Sequence, residues 1–480
     1  MDEKHVDKPI AKSTSLDVEE SSGIGYTAEE ERRLVRKLDS VILPTMCIVF
    51  FLQYLDKQSL GYAGVFDLIT DLNLTGSQYS WCSGIFYVGQ LVSEYPFIYL
   101  MSRLPLMKFV GATAVAWGII CMCLAAPTNF AGFATVRFLL GFAEGAVSPA
   151  FVTISSIWYK KREHPVRVGV WVTMNAMAQV VGSLLMYGIA KHDHGLAPWR
   201  VLFIICGSLT LAGGVLFYFI MPDGPDQAWF LTAREKEVLK MRLAKDREGG
   251  DKTSFSLPQL KESLLDVKTY FSFAFGVLVT MQSSVLTFAS LVINNIGYSK
   301  FQSMLYTSPS GAIQACFIWI GVFGCYLFPK NRALVSIILI IPPLIGNVLL
   351  LKLPISAGWG VVIASWLSSC ISDIMVILLS LLASNVKGNT KRAVANTAFF
   401  IGYCAGCIGG PQLWTHKPRY FEGVVTAIVT WVLLFIFLCA YWYICATENK
   451  KRDAEPQFEQ SIEVGADITD KIDRSFRYSY

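Results

Sequence analysis

Long apolar runs recur along this chain between charged or Pro- and Gly-marked breaks, and no water-soluble fold can bury so many of them. Gly111 to Phe130 and Val201 to Met221 are two such runs. At about 1.5 Å per residue, each is long enough to cross the ~30 Å of hydrocarbon in a bilayer. Only 16% of the residues are charged, against roughly 25% in an ordinary soluble domain. A soluble protein of this composition would lack a polar surface, so the runs are read as transmembrane helices of an all-α membrane protein.

The runs fall near 41–62, 78–100, 106–126, 130–156, 167–190 and 200–220, then near 270–293, 303–328, 333–351, 356–384, 393–414 and 422–446. This predicts twelve spans: one six-helix bundle over 41–220, a second over 270–446, and a connecting loop over 221–269. The loop should carry an amphipathic helix, opened by the capping pair Thr232/Glu235 and stopped at Gly249-Gly250. The flanks, 1–40 and 447–480, read as polar tails of linker composition. No short apolar segment with a cleavage site precedes the first span, which therefore serves as its own insertion signal.

Lys and Arg in the short loops set orientation. With the N-terminus inside, the inner loops hold eleven: Arg103, Lys108, Lys160, Lys161, Arg162, Arg167, Lys330, Arg332, Lys387, Lys391 and Arg392. The outer loops hold six: Lys191, Arg200, Lys300, Lys352, Lys417 and Arg419. Both termini are thus expected in the cytoplasm. The net charge of +5 is an orientation signal and gives no support to nucleic-acid binding. Asn73-Leu74-Thr75 forms a glycosylation sequon in the first outer loop. The twelve cysteines all lie in or beside apolar spans and behave as small hydrophobes. The C-x-x-C pair Cys404 and Cys407 sits in a Gly-rich packing stretch, so no metal site is expected.

An ionisable group inside a span costs about 2.5–3.5 kcal/mol on insertion scales and is a functional candidate by default. Asp56, Lys57, Glu94, Arg137 and Glu144 lie in the first half, and Asp373 in the second. Counting along the helices puts Asp56 and Arg137 at a similar depth, on the order of 10 Å from the outer face. They can pair with each other, or Arg137 can hold an anion that Asp56 steadies. Glu144 is two helical turns beyond Arg137 on the same face. On the functional reading, the planar fork of Arg137 binds a carboxylate, and Asp56 or Glu144 takes and releases a proton. The competing reading is a static ion-pair network between spans one and four. Glu94 precedes Pro96 and reads as a gating or structural residue. Asp373 is expected near the inner face, paired with a basic loop residue. Asn175 and Gln179, Gln282 and Ser283, and Tyr87, Tyr403 and Gln412 decorate the spans either as cavity lining or as interhelical hydrogen bonds worth about 0.6 kcal/mol each.

Several local patterns recur in a fixed order: Tyr54-Leu55-Asp56-Lys57, Tyr79-Ser80-Trp81 to Tyr87 with Glu94-Tyr95-Pro96, and Arg137-Phe138-Leu139-Leu140-Gly141 with Glu144 and Pro149. Trp158-Tyr159-Lys160, Met221-Pro222-Asp223, Gly409-Gly410-Pro411-Gln412 and Pro418-Arg419-Tyr420 follow. Together, from about Leu38 to Lys450, they resemble the major facilitator superfamily, and within its anion:cation symporters the fungal allantoate permease group. The resemblance implies two rocking six-helix bundles around a midplane site. It also implies symport of a small organic anion (a ureide, a vitamin-like carboxylate or another carboxylic acid) driven by the proton gradient, with no cofactor. Asp56 and Lys57 match the group's acidic-basic pair, Arg137 its substrate-side arginine, and Glu144 its protonatable acid. Tyr54 and Tyr87 match aromatic positions around the same cavity. The implied partners are the anion, protons and the lipid bilayer, most simply the plasma membrane, and nothing points to an obligate protein partner.

The chain departs from the general superfamily signature after span two, where it reads Met101-Ser102-Arg103-Leu104-Pro105. In span seven, Met281-Gln282-Ser283-Ser284 replaces the group's Asn-Gly-Gly. Two other functions share the fold: export by proton exchange, disfavoured by the lack of a proline between Asn175 and Tyr187, and nutrient sensing, disfavoured by the short tails. An enzyme is not expected, because no nucleophile-base pair, metal cluster or phosphate loop stands out. His192-Asp193-His194 comes nearest and reads as solvated surface.

Overall fold

Backbone groups in hydrocarbon can be satisfied only within helices or closed barrels, and every regular element among the described residues is helical. The structure, a computed structural model, describes residues 25–145, 147–160, 163–193, 195–247, 256–328, 331–416, 420–454 and 467–480. Residues 1–24 and 455–466 of the tails, the Gly249-Gly250 stop, Lys161, Arg162, His194, Lys330, Lys417, Pro418 and Arg419 lie outside the described residues.

The helices of the first half are α1 (Ala28–Val65), α2 (Leu68–Asp71), α3 (Gln78–Arg103), α4 (Leu106–Cys123), α5 (Phe130–Glu144), α6 (Val147–Trp158), α7 (His164–Ala190) and α8 (Pro198–Ile220). Two connector helices follow, α9 (Ala233–Arg247) and α10 (Leu257–Leu264). The second half comprises α11 (Val267–Thr280), α12 (Ser284–Asn295), α13 (Lys300–Leu327), α14 (Arg332–Lys352), α15 (Trp359–Ser368), α16 (Ser372–Asn385), α17 (Asn389–Gln412) and α18 (Phe421–Ala454). Among the described residues, eleven helical stretches are long and apolar enough to cross a membrane. The remaining expected span, α3, has 26 residues, and so the length, but its serines, tyrosines and Glu94 make it more polar.

The first helix starts well before the predicted span. Thr27 and Glu30 close a full capping box, and Glu29, Glu30 and Glu31 occupy the first turn, where the helix dipole favours negative charge. Leu34 and Leu38 extend its buried stripe into what reads as tail. The connector behaves as expected at its start: Thr232 Oγ1 and Glu235 Oε2 lie 3.1 Å apart, and the Thr232 N–H donates to the same carboxylate. One face of α9 buries Val238, Leu239, Arg242 and Leu243, with Arg242 bonded to Glu31 at 2.9 Å and to Glu163.

Among the described residues, spans seven and ten, which read as continuous, are broken midway. Span seven divides into α11 and α12 at a single 3-10 turn, Met281–Ser283, where Gln282 Nε2 and Ser284 Oγ donate to the Leu278 and Met281 carbonyls. Span ten divides into α15 and α16 at Ser369–Ile371. Ser368 and Ser369 there donate to the carbonyls four residues back at 2.8 Å each. Such side-chain back-bonding competes with the helical ladder and bends it.

Close helix approach depends on glycine. A Cβ on Gly141 would lie 1.9 Å from the Phe86 carbonyl oxygen, and one on Gly402 would lie 2.2 Å from that of Phe273. These contacts seat α5 on α3 and α17 on α11.

The two halves meet at the end away from the chain termini. Ser290 Oγ donates to the Gly61 carbonyl at 3.1 Å, Lys300 pairs with Asp67 at 2.6 Å, and Phe66 and Tyr79 pack edge-on against Phe301 and Phe288. At the terminal end, none of the described ion pairs joins the first half to the second: Lys160–Glu31 and Arg167–Asp39 lie within the first half, Lys268–Glu448 and Lys391–Asp266 within the second, and Lys391–Glu262 ties α10 to the second half. The far end is therefore sealed, while the terminal end lacks ionic closure among the described residues.

Gly141→Ala should force α5 off α3 and destabilise the protein by about 1–3 kcal/mol. The check is thermal unfolding in detergent, where the variant should melt below wild type.

Candidate functional site

Neighbouring residues on a helix point about 100° apart, so Asp56 and Lys57 serve different neighbours. Asp56 is 1% exposed, and its Oδ2 accepts from Trp117 Nε1 at 2.6 Å and from Thr210 Oγ1 at 3.0 Å. These bonds tie α1 to α4 and α8, while Oδ1 has no hydrogen-bond partner. Asp56 pairs with neither Arg137 nor any other described cation, which removes the first of the two arrangements expected from depth. The indole and hydroxyl donors supply what a cation would have supplied.

Lys57 turns instead to Glu144, with Nζ and Oε1 2.8 Å apart. Glu144 is fully buried and Arg137 is 3% exposed. Arg137 Nε donates to the Cys82 carbonyl at 3.1 Å, and its Nη1 has no hydrogen-bond partner among the described residues. The Phe86 ring lies against both cations, with Lys57 Nζ 5.6 Å and the Arg137 guanidinium carbon 5.4 Å from its centroid. Two cations and one carboxylate thus meet on α1 and α5 beside Phe86 of α3, and Arg137 has no ion-pair partner among the described residues.

The second half faces this cluster with neutral polar groups. Tyr87 and Tyr403 meet edge-on across the halves at 6.0 Å, and Tyr403 stacks on Phe400. The Tyr54 hydroxyl faces Gln58, Gln314 and Ser372, with Gln314 Nε2 donating to Ser372 Oγ at 2.8 Å. Gln179 Nε2 bonds Ser310 Oγ at 2.7 Å, which makes it an interhelical bond across the halves. Asn175, one turn earlier, is half-buried with an unpartnered Oδ1. Gln282 is buried, and its Oε1 is likewise unpartnered.

Three residues stand apart. Glu94 is half-buried on α3 and forms no ion pair among the described residues. Asp373 corrects the expectation of an inner-face ion pair: it lies at the break in span ten, between Trp359 and Asn385, and no described cation pairs with it. Its two carboxyl oxygens have no hydrogen-bond partner among the described residues; the residue lies in the first turn of α16, where the helix dipole supplies positive potential. Asn73 is exposed at the far end with φ +50°.

The reading of the spans missed Trp117, Thr210 and Phe86. A tryptophan inside an apolar run carries an N–H that needs a partner, and that was the one available signal for Trp117.

Residues 46–411 match the family model described as the Major Facilitator Superfamily. An uncharacterised transporter of Schizosaccharomyces pombe is 34% identical, over 95% of this chain and 88% of its own. The allantoate permease of Saccharomyces cerevisiae is 31% identical, over 96% and 89%. In fold, the chain is similar to the inward-open xylose transporter XylE of E. coli, with a TM-score of 0.62 at 16% identity, covering 82% of this chain and 95% of that one.

Lys57→Ala should leave Glu144 buried without its cation and cost about 3–5 kcal/mol. Adding Glu144→Gln should recover most of that loss. Thermal melts of the two single variants and the double variant give the coupling directly.

Proposed function

The chain belongs to the Major Facilitator Superfamily, in the group that includes the yeast allantoate permease, and on that premise we propose that it is a proton-coupled symporter of a small organic anion. The observation that carries this reading is the buried Lys57–Glu144–Arg137 cluster, whose cations outnumber its carboxylate. An uncompensated charge in the membrane is costly, and a substrate carboxylate on the open edge of Arg137 supplies the missing one. Guanidinium geometry suits bidentate carboxylate binding.

Coupling follows from competition for Lys57. A bound anion draws Lys57 away, and Glu144, left without its cation, takes up a proton. The loaded site then holds two cations, one anion and a neutral acid, the same net charge as the empty site, so anion and proton cross together without adding charge to the protein. Tyr54, Tyr87, Tyr403, Asn175, Gln179 and Gln282 line the body of the substrate, and Glu94 gates the terminal end. The proton gradient is the energy source and no cofactor takes part. Termini in the cytoplasm, residence in the plasma membrane and a glycan on Asn73 complete the reading. The allantoate permease relative favours a carboxylate that also carries hydrogen-bond donors.

The test is uptake by a permease-deficient yeast expressing this chain, with a panel of radiolabelled carboxylates at pH 5 and pH 7, with and without an uncoupler. Acid-stimulated, uncoupler-sensitive accumulation of one of them is expected; no accumulation despite normal surface expression overturns the reading. Arg137→Lys should reach the membrane normally yet lose at least about tenfold of that uptake, since lysine lacks the planar fork.

A further inference from the structure

The closing segment, Asp467–Tyr480, reads as linker but is seated on the terminal end of the second half. Tyr478 is 3% exposed, with Lys268 Nζ 3.2 Å and the Arg452 guanidinium carbon 4.6 Å from its ring centroid. Its hydroxyl donates to Asp470 Oδ2 at 2.7 Å and accepts from Arg452 Nη2 at 2.8 Å. Its backbone makes a reciprocal pair with the Asn449 amide, both bonds 2.9 Å. Asp470 is fully buried and takes Lys391 Nζ at 2.8 Å and Lys268 Nζ at 3.8 Å. The Asn385 amide is matched on both sides by the Ser479 backbone, at 2.7 Å each way.

This is a built socket. Lys268 and Lys391 are almost entirely buried, and burying such charges is tolerable only while their partners stay in place. Lifting the segment away would leave Lys268 with Glu448 and Lys391 with Glu262 and Asp266, but would take Asp470 from both lysines and four backbone or side-chain acceptors from Arg452.

The socket residues come from particular places. Lys268 lies in the first turn of α11, and Asn385 is the last residue of α16. Lys391 opens α17, while Asn449 and Arg452 close α18. Both α11 and α16 are the terminal-side pieces of broken spans, joined to α12 and α15 only through Met281–Ser283 and Ser369–Ile371. Mid-span breaks of this kind act as hinges. The segment ties down the free end of each hinged piece.

We propose that Asp467–Tyr480 is a releasable latch that fixes α11 and α16 against α17 and α18 and so controls bending of the second half at its terminal end. The latch goes beyond the transport reading and does not depend on which solute is carried.

The test is hydrogen–deuterium exchange read by mass spectrometry on the purified full-length chain in detergent. The wild type is compared with Tyr478→Ala, which removes the inserted ring, and with Asp470→Asn, which keeps the shape but removes the charge. In both variants, amides of α11 and α16 should exchange about tenfold faster or more, as expected for a locally opened unit. Those of α12 and α15, beyond the hinges, should keep their wild-type rates and so report that the variants are folded. A wild-type segment 467–480 exchanging as fast as a free peptide would overturn the seat. Unchanged exchange in α11 and α16 of variants whose segment 467–480 has lost protection would overturn the latch.

Discussion

A charge in hydrocarbon needs a counter-charge, and the pairing of Lys57 with Glu144 beside Arg137 is where this protein meets that demand incompletely. The surrounding architecture holds the imbalance in place. Gly141 lets α5 come close enough to α3 for the Phe86 ring to contact both cations, and the Cys82 carbonyl fixes one edge of the Arg137 guanidinium. Asp56, one residue from Lys57, is kept out of the cluster by Trp117 and Thr210. Were Asp56 turned toward Arg137, the cluster would be neutral and the need for an external anion would vanish.

The halves divide the labour. The first carries most of the charge in an ordered frame, and the second presents amides and hydroxyls on spans that break at Met281–Ser283 and Ser369–Ile371. Asp373 belongs to that division, since its carboxyl lies in the positive potential at the start of α16 with no described cation paired to it. With the far end sealed through Asp67–Lys300 and the aromatic contacts around Phe288, movement is directed to the terminal end, where the hinged pieces and the closing segment lie.

Much of this was legible in the sequence because membrane insertion leaves a coarse mark. Apolar runs located the spans, and ionisable residues inside them located Lys57, Arg137 and Glu144. Which acid meets which cation was not legible, because Asp56 and Glu144 are equally acidic by type and only the approach of α4 and α8 assigns Asp56 to neutral donors. The early start of α1 was hidden because its first three turns are polar, though the Thr27/Glu30 box marked it. The breaks in spans seven and ten carry no mark in residue type, because side chains that bond back to their own helix occur in the unbroken α1 and α13 as well. The closing segment looked like linker because it is anchored by tertiary contacts through a few residues, Asp470 and Tyr478 above all, and not by an apolar stripe.

The central claim is that a proton enters with the anion because Glu144 loses Lys57. The most direct measurement places the purified protein in liposomes containing a pH-sensitive dye, with no initial pH gradient and the membrane potential clamped at zero. A transported carboxylate is then added outside. The account predicts acidification of the lumen with the wild-type protein and none with Glu144→Gln, although that variant still binds the carboxylate. Acidification by Glu144→Gln at the wild-type rate would contradict it.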